Sequence, residues 1–199
     1  MLLLIVINMK GWNGKILRVD LTEGSTEITS YSDEIAKKFI GGRGLAVKLL
    51  WDELPKGADP LGPENMLIFA TGPYTAFNVP NSGKLVVASK SPLTGGYGDG
   101  NIGTRAATNL RKCGVDAVVI NGKAKEPVYL YVEDEKAEIL DASHLWGKSS
   151  YEAEDWLFDK HGKSTGTLLT GQSGENLCLL STVVSQRGRA GGRPGMGAV

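Results

Sequence analysis

Strand-like apolar runs come in neighbouring pairs along this chain, and that pairing constrains the fold more than any other feature. Lys15–Leu21 (KILRVDL) alternates apolar and polar residues, Thr22–Ser25 is a polar turn, and Thr26–Tyr31 alternates again, so a hairpin opens the sequence. Met66–Thr71 (MLIFAT) and Lys84–Ser89 (KLVVAS) are apolar enough for buried strands. Ala117–Asn121 and Val128–Glu133 follow as strands on either side of GKAKEP, and Thr167–Thr170 and Leu177–Val184 read as the last pair. Fewer helices are expected. Ser32 caps one through Phe39, with Asp33 and Glu34 in its first turn. Others span about Leu45–Leu54, Thr104–Lys112 and, from a Ser149/Glu152 capping box, to about Lys160. Paired strands with few intervening helices predict an α+β domain of two mostly antiparallel β-sheets, not a doubly wound one. Ile40–Leu50 (IGGRGLAVKLL) and Ile102–Arg111 (IGTRAATNLR) both open a helix with Ile-Gly-x-Arg. An internal duplication or a shared helix-entry requirement would each produce that echo.

The chain is long enough for one domain with a substantial core. Its 22 basic and 22 acidic residues cancel, so no overall field points to nucleic acid or an acidic membrane. Two cysteines, Cys113 and Cys178, stand far apart in apolar or helical contexts and read as buried free thiols in a reducing, cytoplasmic compartment. MLLLIVI at the start lacks the basic flank and cleavage site of a signal peptide and is too short to span a membrane. It reads as an extension of residues 1–8 ahead of a domain at 9–199.

Composition departs from the ordinary only in glycine, 27 of 199 residues, about double the usual share. The glycines gather around helices, in turns and candidate ligand loops. Ser91–Ala106 (SPLTGGYGDGNIGTRA) joins a strand to a helix, and Gly98–Gly103 within it spells GxGxxG. The setting is wrong for a dinucleotide fingerprint, since several residues follow Ser89 before the glycines and no acid caps the next strand. No Gly-Lys-Ser/Thr follows, so it is not a P-loop. A helix start behind glycines still suits an anion, with Asn101 able to offer its carbonyl and amide; a turn that needs positive φ is the other reading. Near the end, Ser185–Val199 (SQRGRAGGRPGMGAV) alternates arginines with glycines. That is either a solvated basic tail or a site where guanidiniums and main-chain donors meet phosphate or carboxylate. The strand-like GENLCLLSTVV before it argues for a loop held at its front end.

These segments, with WNGKILRVDLTEG (Trp12–Gly24), GGRGLA (Gly41–Ala46), DPLGPEN (Asp59–Asn65), KSPLTG (Lys90–Gly95), GKAKEPVYLYVED (Gly122–Asp134), DASHLWGK (Asp141–Lys148), GENL (Gly174–Leu177) and GRAGGRPGMGAV (Gly188–Val199), resemble the N-terminal domain of the tungsten-containing aldehyde ferredoxin oxidoreductase family. The resemblance implies a β-rich base under a tungsten bis-pterin cofactor, whose phosphates meet at Mg²⁺. It implies Asn101 and Ala190 as Mg²⁺ ligands through their backbone carbonyls, and Gly103, Arg189, Gly192 and Arg193 as contacts to phosphates and pterin edges. Lys84 stands where the family commonly has Arg, keeping the charge without the two-pronged fork.

No catalytic residue is assigned to this chain. His144 beside Trp146 reads as structural and His161 as solvated. A [4Fe–4S] cluster needs four thiolates, so the resemblance places its ligands in further domains or a second subunit. The complete oxidoreductase would oxidise aldehydes to carboxylates and pass electrons to ferredoxin, and this chain alone would be inactive. A non-catalytic pterin-binding scaffold, or a relative acting on aromatic acyl thioesters, are the alternatives. The apolar face left open predicts a homo-oligomer.

Overall fold

Strands buried on both faces need apolar residues at consecutive positions, and the central strands have them. In the computed structural model, which describes residues 11–199, β1 (Lys15–Asp20) and β2 (Ser25–Ser30) form the opening hairpin, followed by α1 (Asp33–Phe39) and α2 (Arg43–Glu53). Then come β3 (Leu67–Thr71), β4 (Lys84–Lys90), β5 (Tyr97–Gly103), α3 (Arg105–Lys112) and β6 (Ala117–Asn121). These strands make one six-stranded sheet in the order β2-β1-β6-β3-β4-β5. Every pair in it is antiparallel except β1 with β6. The expected α+β class with mostly antiparallel strands therefore holds. The strands divide into this large sheet and two smaller ribbons. The extension at residues 1–8 lies outside the described residues.

Alternation of side chains across the sheet builds two cores. On one face Ile16, Ile68, Ala70, Val86, Ala88, Ala117 and Val119 pack beneath Leu45, Ala46, Leu49 and Leu50 of α2. On the other, Leu17, Phe69, Leu85, Val87 and Val118 meet Ala106 and Ala107 of α3, together with Val183 and Met196 from the C-terminal segment. The two Ile-Gly-x-Arg helix entries thus serve opposite faces. Arg43 and Arg105 each begin a helix, but Ile40 closes α1 with φ 65° whereas Ile102 lies inside β5.

The second half is an antiparallel ribbon of β7 (Val128–Glu133) and β8 (Lys136–Asp141), then α4 (Ser150–His161), the short α5 (Gln172–Glu175), and a ribbon of β9 (Val183–Ser185) and β10 (Arg189–Gly191). The sequence does not announce β8, because its turn uses Asp134 and Glu135, at φ 46° and 63°, instead of an Asn-Gly pair. Ser149 and Glu152 form the full capping box of α4. Two expected strands are corrected. Thr167–Thr170 contributes a single bridge, Leu169 to Val184, and residues 177–182 form turns and irregular backbone, not a strand. There, local bonds such as Leu177 N–H to Gly174 carbonyl and Ser181 N–H to Cys178 carbonyl outcompete pairing, and Leu177, Leu179 and Leu180 stay exposed. Among the described residues no helix is long and apolar enough to cross a membrane.

Candidate functional site

The GxGxxG stretch is a strand, and its glycines serve packing. Gly98, Gly100 and Gly103 have no positive φ; β5 runs antiparallel to β4, with Lys84 opposite Gly103 and Val86 opposite Asn101. The C-terminal segment crosses directly over β5. A side chain at Gly100 would run into the backbone nitrogen of Gly192, and a Cβ at Gly98 would sit 2.9 Å from Met196 Cε and 3.0 Å from Pro194 Cβ. Only backbone fits between these two strands.

That crossing brings the two glycine segments onto one edge. A Cβ at Gly191 would lie 3.2 Å from the Asn101 carbonyl oxygen, and one at Gly103 would lie 3.2 Å from Arg189 Nη1 and 3.9 Å from Lys84 Cγ. Asn101 and Ala190 therefore stand on adjacent strands, and Lys84, Gly103 and Arg189 converge at the same end. Asn101, Ala190, Arg193, Lys84 and Arg189 are exposed, while Gly192 is buried with φ 76°.

The charges sort into two groups. Arg18 pairs with Glu53, Arg43 with Asp99, Arg111 with buried Asp116, and Arg187 with Asp155. Lys84, Arg189 and Arg193 make no ion pair among the described residues. Lys84 and Arg189 thereby bring unpaired positive charge to the end of the edge where Gly103 lies. Beside them on β5, Asp99 accepts from Arg43 Nη2 at 2.8 Å and from the Tyr97 hydroxyl at 2.9 Å. The Arg43 hydrogen bond holds the Asp99 carboxyl below its usual range, while burial, then the bond to Asp99, raises the Tyr97 phenol. The sequence could not show this group, because Arg43 and Asp99 are 56 residues apart.

The expected anion site at the start of α3 is closed. Gln186 Oε1 takes the Arg105 N–H at 2.8 Å, and the Thr104 hydroxyl takes the Ala106 N–H at 3.1 Å. The protein's own side chains satisfy the donors that a helix start leaves open. Lys84 and Arg189, which make no ion pair among the described residues, stand on the β5–β10 edge instead. A cavity of about 800 Å³ between the sheet, the β7–β8 ribbon and α4 contains none of these residues; its walls include Phe69, Leu130, Val132, Leu157 and Leu168. Lys112, Lys148, His161 and Thr165 also line it, so its walls are mixed apolar and polar.

His144 lies 4.3 Å from the Trp156 ring and 3.6 Å from Asp141. His161 and the thiols differ from expectation. His161 is stacked, not solvated: its ring centroid is 4.3 Å from that of Tyr131 and its Nε2 is 3.1 Å from the Tyr129 hydroxyl. Cys178 is exposed and Cys113 only half-buried, because one follows α5 in a turn and the other ends α3 beside β7. Among the described residues no three His, Cys, Asp or Glu side chains gather as metal ligands.

Comparison with known proteins settles the family. The family model described as "Aldehyde ferredoxin oxidoreductase, N-terminal domain" matches residues 16–199. The chain belongs to the aldehyde ferredoxin oxidoreductase family. It is 43% identical over 192 residues to the tungsten-containing aldehyde ferredoxin oxidoreductase of Pyrococcus furiosus, covering 96% of this chain and 32% of that protein. It is 35% identical to the WOR-like subunit of an aliphatic sulfonate oxidoreductase from the same organism, covering 96% of this chain and 33% of that protein. A solved structure titled "Active site complex BamBC of Benzoyl Coenzyme A reductase in complex with 1,5 Dienoyl-CoA" superposes with a TM-score of 0.89 at 34% identity, over 95% of this chain and 29% of that one. The chain thus spans about a third of the length of the curated aldehyde ferredoxin oxidoreductases it matches.

Proposed function

We propose that this chain is the cofactor-binding base of a tungsten bis-pterin oxidoreductase that oxidises aldehydes to carboxylates with ferredoxin as electron acceptor. One observation carries the reading: β10 crosses β5 with no room for a side chain, so that Asn101, Gly103 and Lys84 share an edge with Arg189 and Ala190. The donor set fits the cofactor. Mg²⁺ takes hard oxygen ligands and shares phosphate oxygens, and the backbone carbonyls of Asn101 and Ala190 are the oxygens offered. Lys84, Arg189 and Arg193 are free to neutralise the phosphates, with Arg189 and Arg193 able to grip two oxygens each. Gly103 and Gly192 let the ligand approach the main chain. When bound, the metal–pterin group supplies the redox chemistry. These residues bind its phosphates, orient it and compensate its charge.

With a third of its relatives' length, the chain is expected to be inactive alone. Its [4Fe–4S] ligands and remaining pterin contacts are assigned to further domains or a second subunit, and its compartment to the cytoplasm. The test is metal and pterin analysis of the complete protein from its native host. Tungsten and pterin bound together with an iron–sulfur-bearing polypeptide support the reading; protein free of both would make this chain a scaffold instead. The benzoyl-CoA reductase superposition favours a second reading, a base domain for an enzyme acting on aromatic acyl thioesters. Turnover of aldehydes against aromatic acyl-CoA by the same complete protein separates the two.

A further inference from the structure

Between β9 and β10 the chain turns through Gln186 and Arg187, with φ 46° and 59°. Two consecutive left-handed residues normally call for Asn-Gly, because a Cβ crowds the backbone there. Neither residue here is glycine or asparagine, so the turn must be held from outside. Glu154 of α4 holds it. This glutamate is 1% exposed, and its carboxylate accepts the Gln186 N–H at 2.8 Å, the Arg187 N–H at 3.1 Å and the Thr167 hydroxyl. Successive left-handed residues aim their N–H groups into one concavity that suits an anion, and the anion here is the protein's own side chain. Tyr151 donates to the Arg187 carbonyl at 2.8 Å and Asp155 pairs with the Arg187 guanidinium, so α4 grips the turn at three points. Arg187 is thereby withdrawn from ligand binding, while Arg189 and Ala190, at the start of β10, are set against β5.

We propose that Glu154 is a positioning residue for the anion-binding edge: its carboxylate locks the Gln186–Arg187 turn so that Arg189 and Ala190 face the ligand before it arrives. The inference rests on the reading of that edge as a phosphate site. A carboxylate is required because both of its oxygens meet backbone N–H groups; an amide in either flip would set its NH₂ against one of them. Burying the charge is tolerable only because three donors converge on it.

In the full chain, Glu154→Gln is compared with wild type by amide hydrogen exchange and by calorimetric titration with inorganic pyrophosphate and Mg²⁺. Amides of the β9–β10 ribbon are expected to exchange about tenfold faster, with those of β4 and β6 unchanged, and pyrophosphate affinity to fall about tenfold. Adding Gln186→Asn and Arg187→Gly to Glu154→Gln rebuilds the turn from residues that accept left-handed backbone, and recovers most of the affinity. Should Glu154→Gln fail to fold, Glu154→Asp, which keeps the charge but withdraws it by one methylene, is read in the same way. Unchanged ribbon exchange, or unchanged affinity with a loosened ribbon, overturns the proposal. So does an affinity loss that the rebuilt turn does not recover and that accompanies faster exchange throughout the sheet, since Glu154 would then be a general structural anchor. Failure of wild type to bind pyrophosphate would instead sink the phosphate-site reading, with ribbon exchange still reporting whether Glu154 holds the turn.

Discussion

Tyr31 donates its hydroxyl to Asp116 at 2.7 Å, and the same carboxylate accepts the Asn13 and Gly14 N–H groups and pairs with Arg111. Burial pushes the Tyr31 phenol up to about 12, against a smaller opposite pull from Arg111. An acid whose folded pKa is raised keeps its stabilising contribution below the unfolded value, about 10, and loses it as pH climbs through the folded one. Chemical denaturation of wild type should therefore lose stability between about pH 10 and pH 12, and Tyr31→Phe should lack that part of the decline. At neutral pH the same substitution should cost about 1–2 kcal/mol for the lost bond to a buried carboxylate. Lys84 offers a second residue-level test. Lys84→Arg restores a two-pronged donor and should tighten Mg²⁺-pyrophosphate binding several-fold by calorimetry, while Lys84→Ala should weaken it. An arginine that binds more weakly than lysine would mean that this edge is shaped around a point charge.

At the scale of elements, contact between β5 and β10 depends on absent side chains. Gly100→Ala would press a methyl against Gly192, and Gly191→Ala against Ile102 and the Asn101 carbonyl. Neither glycine has a positive φ, so the cost is steric and not conformational. Each change should destabilise by about 1–3 kcal/mol in denaturant titrations, as overpacking does. Each should also abolish pyrophosphate binding by lifting β10 away. Ser149→Ala acts on a different element: it removes one half of the α4 capping box and should cost about 1 kcal/mol. Because α4 carries Glu154, Asp155 and Tyr151 to the turn ahead of β10, fraying of its first turn should reach the site as a modest loss of affinity.

For the whole molecule, the proposed phosphate edge joins a segment of the large sheet to the C-terminal ribbon, so binding there should stabilise the entire domain. Saturating Mg²⁺-pyrophosphate at a hundred times its dissociation constant adds about 2.7 kcal/mol, a rise of roughly 5–10 °C in Tm for a domain this size. Scanning calorimetry should show that rise with both components together and not with either alone. The molecule also carries apolar side chains it does not cover: Trp146, Leu177 and Leu180 are 58%, 53% and 61% exposed, and Gly147 and Glu175 tie the first two neighbourhoods together at 2.9 Å. Sedimentation should detect self-association of the isolated chain that weakens with Leu177→Ser and Leu180→Ser. A monomer at every concentration would remove the expectation of a homo-oligomer.

Local pattern was enough for the central strands and for α1 to α4, while the single turn of α5 left no mark in the sequence. Ile68–Thr71 and Leu85–Ser89 are apolar almost without a break, and Ser32, Thr104 and Ser149 cap their helices through contacts within three residues. Such signals depend on near neighbours, so they can be read in one dimension. The strand nature of Gly98–Gly103 was hidden, since glycine runs usually mean turns, and only the segment lying over it explains them. Leu177–Leu180 misled in the opposite direction, because short-range turn bonds, not apolar content, decide its backbone. The stacking of His161 on Tyr131 and its contact with the Tyr129 hydroxyl, the Arg43–Asp99 pair and the grip of Glu154 on Gln186 and Arg187 all join distant residues. Charge and chemistry marked the arginines as a group; tertiary packing decided which are paired and which are free, because ion pairing and burial are properties of neighbours in space.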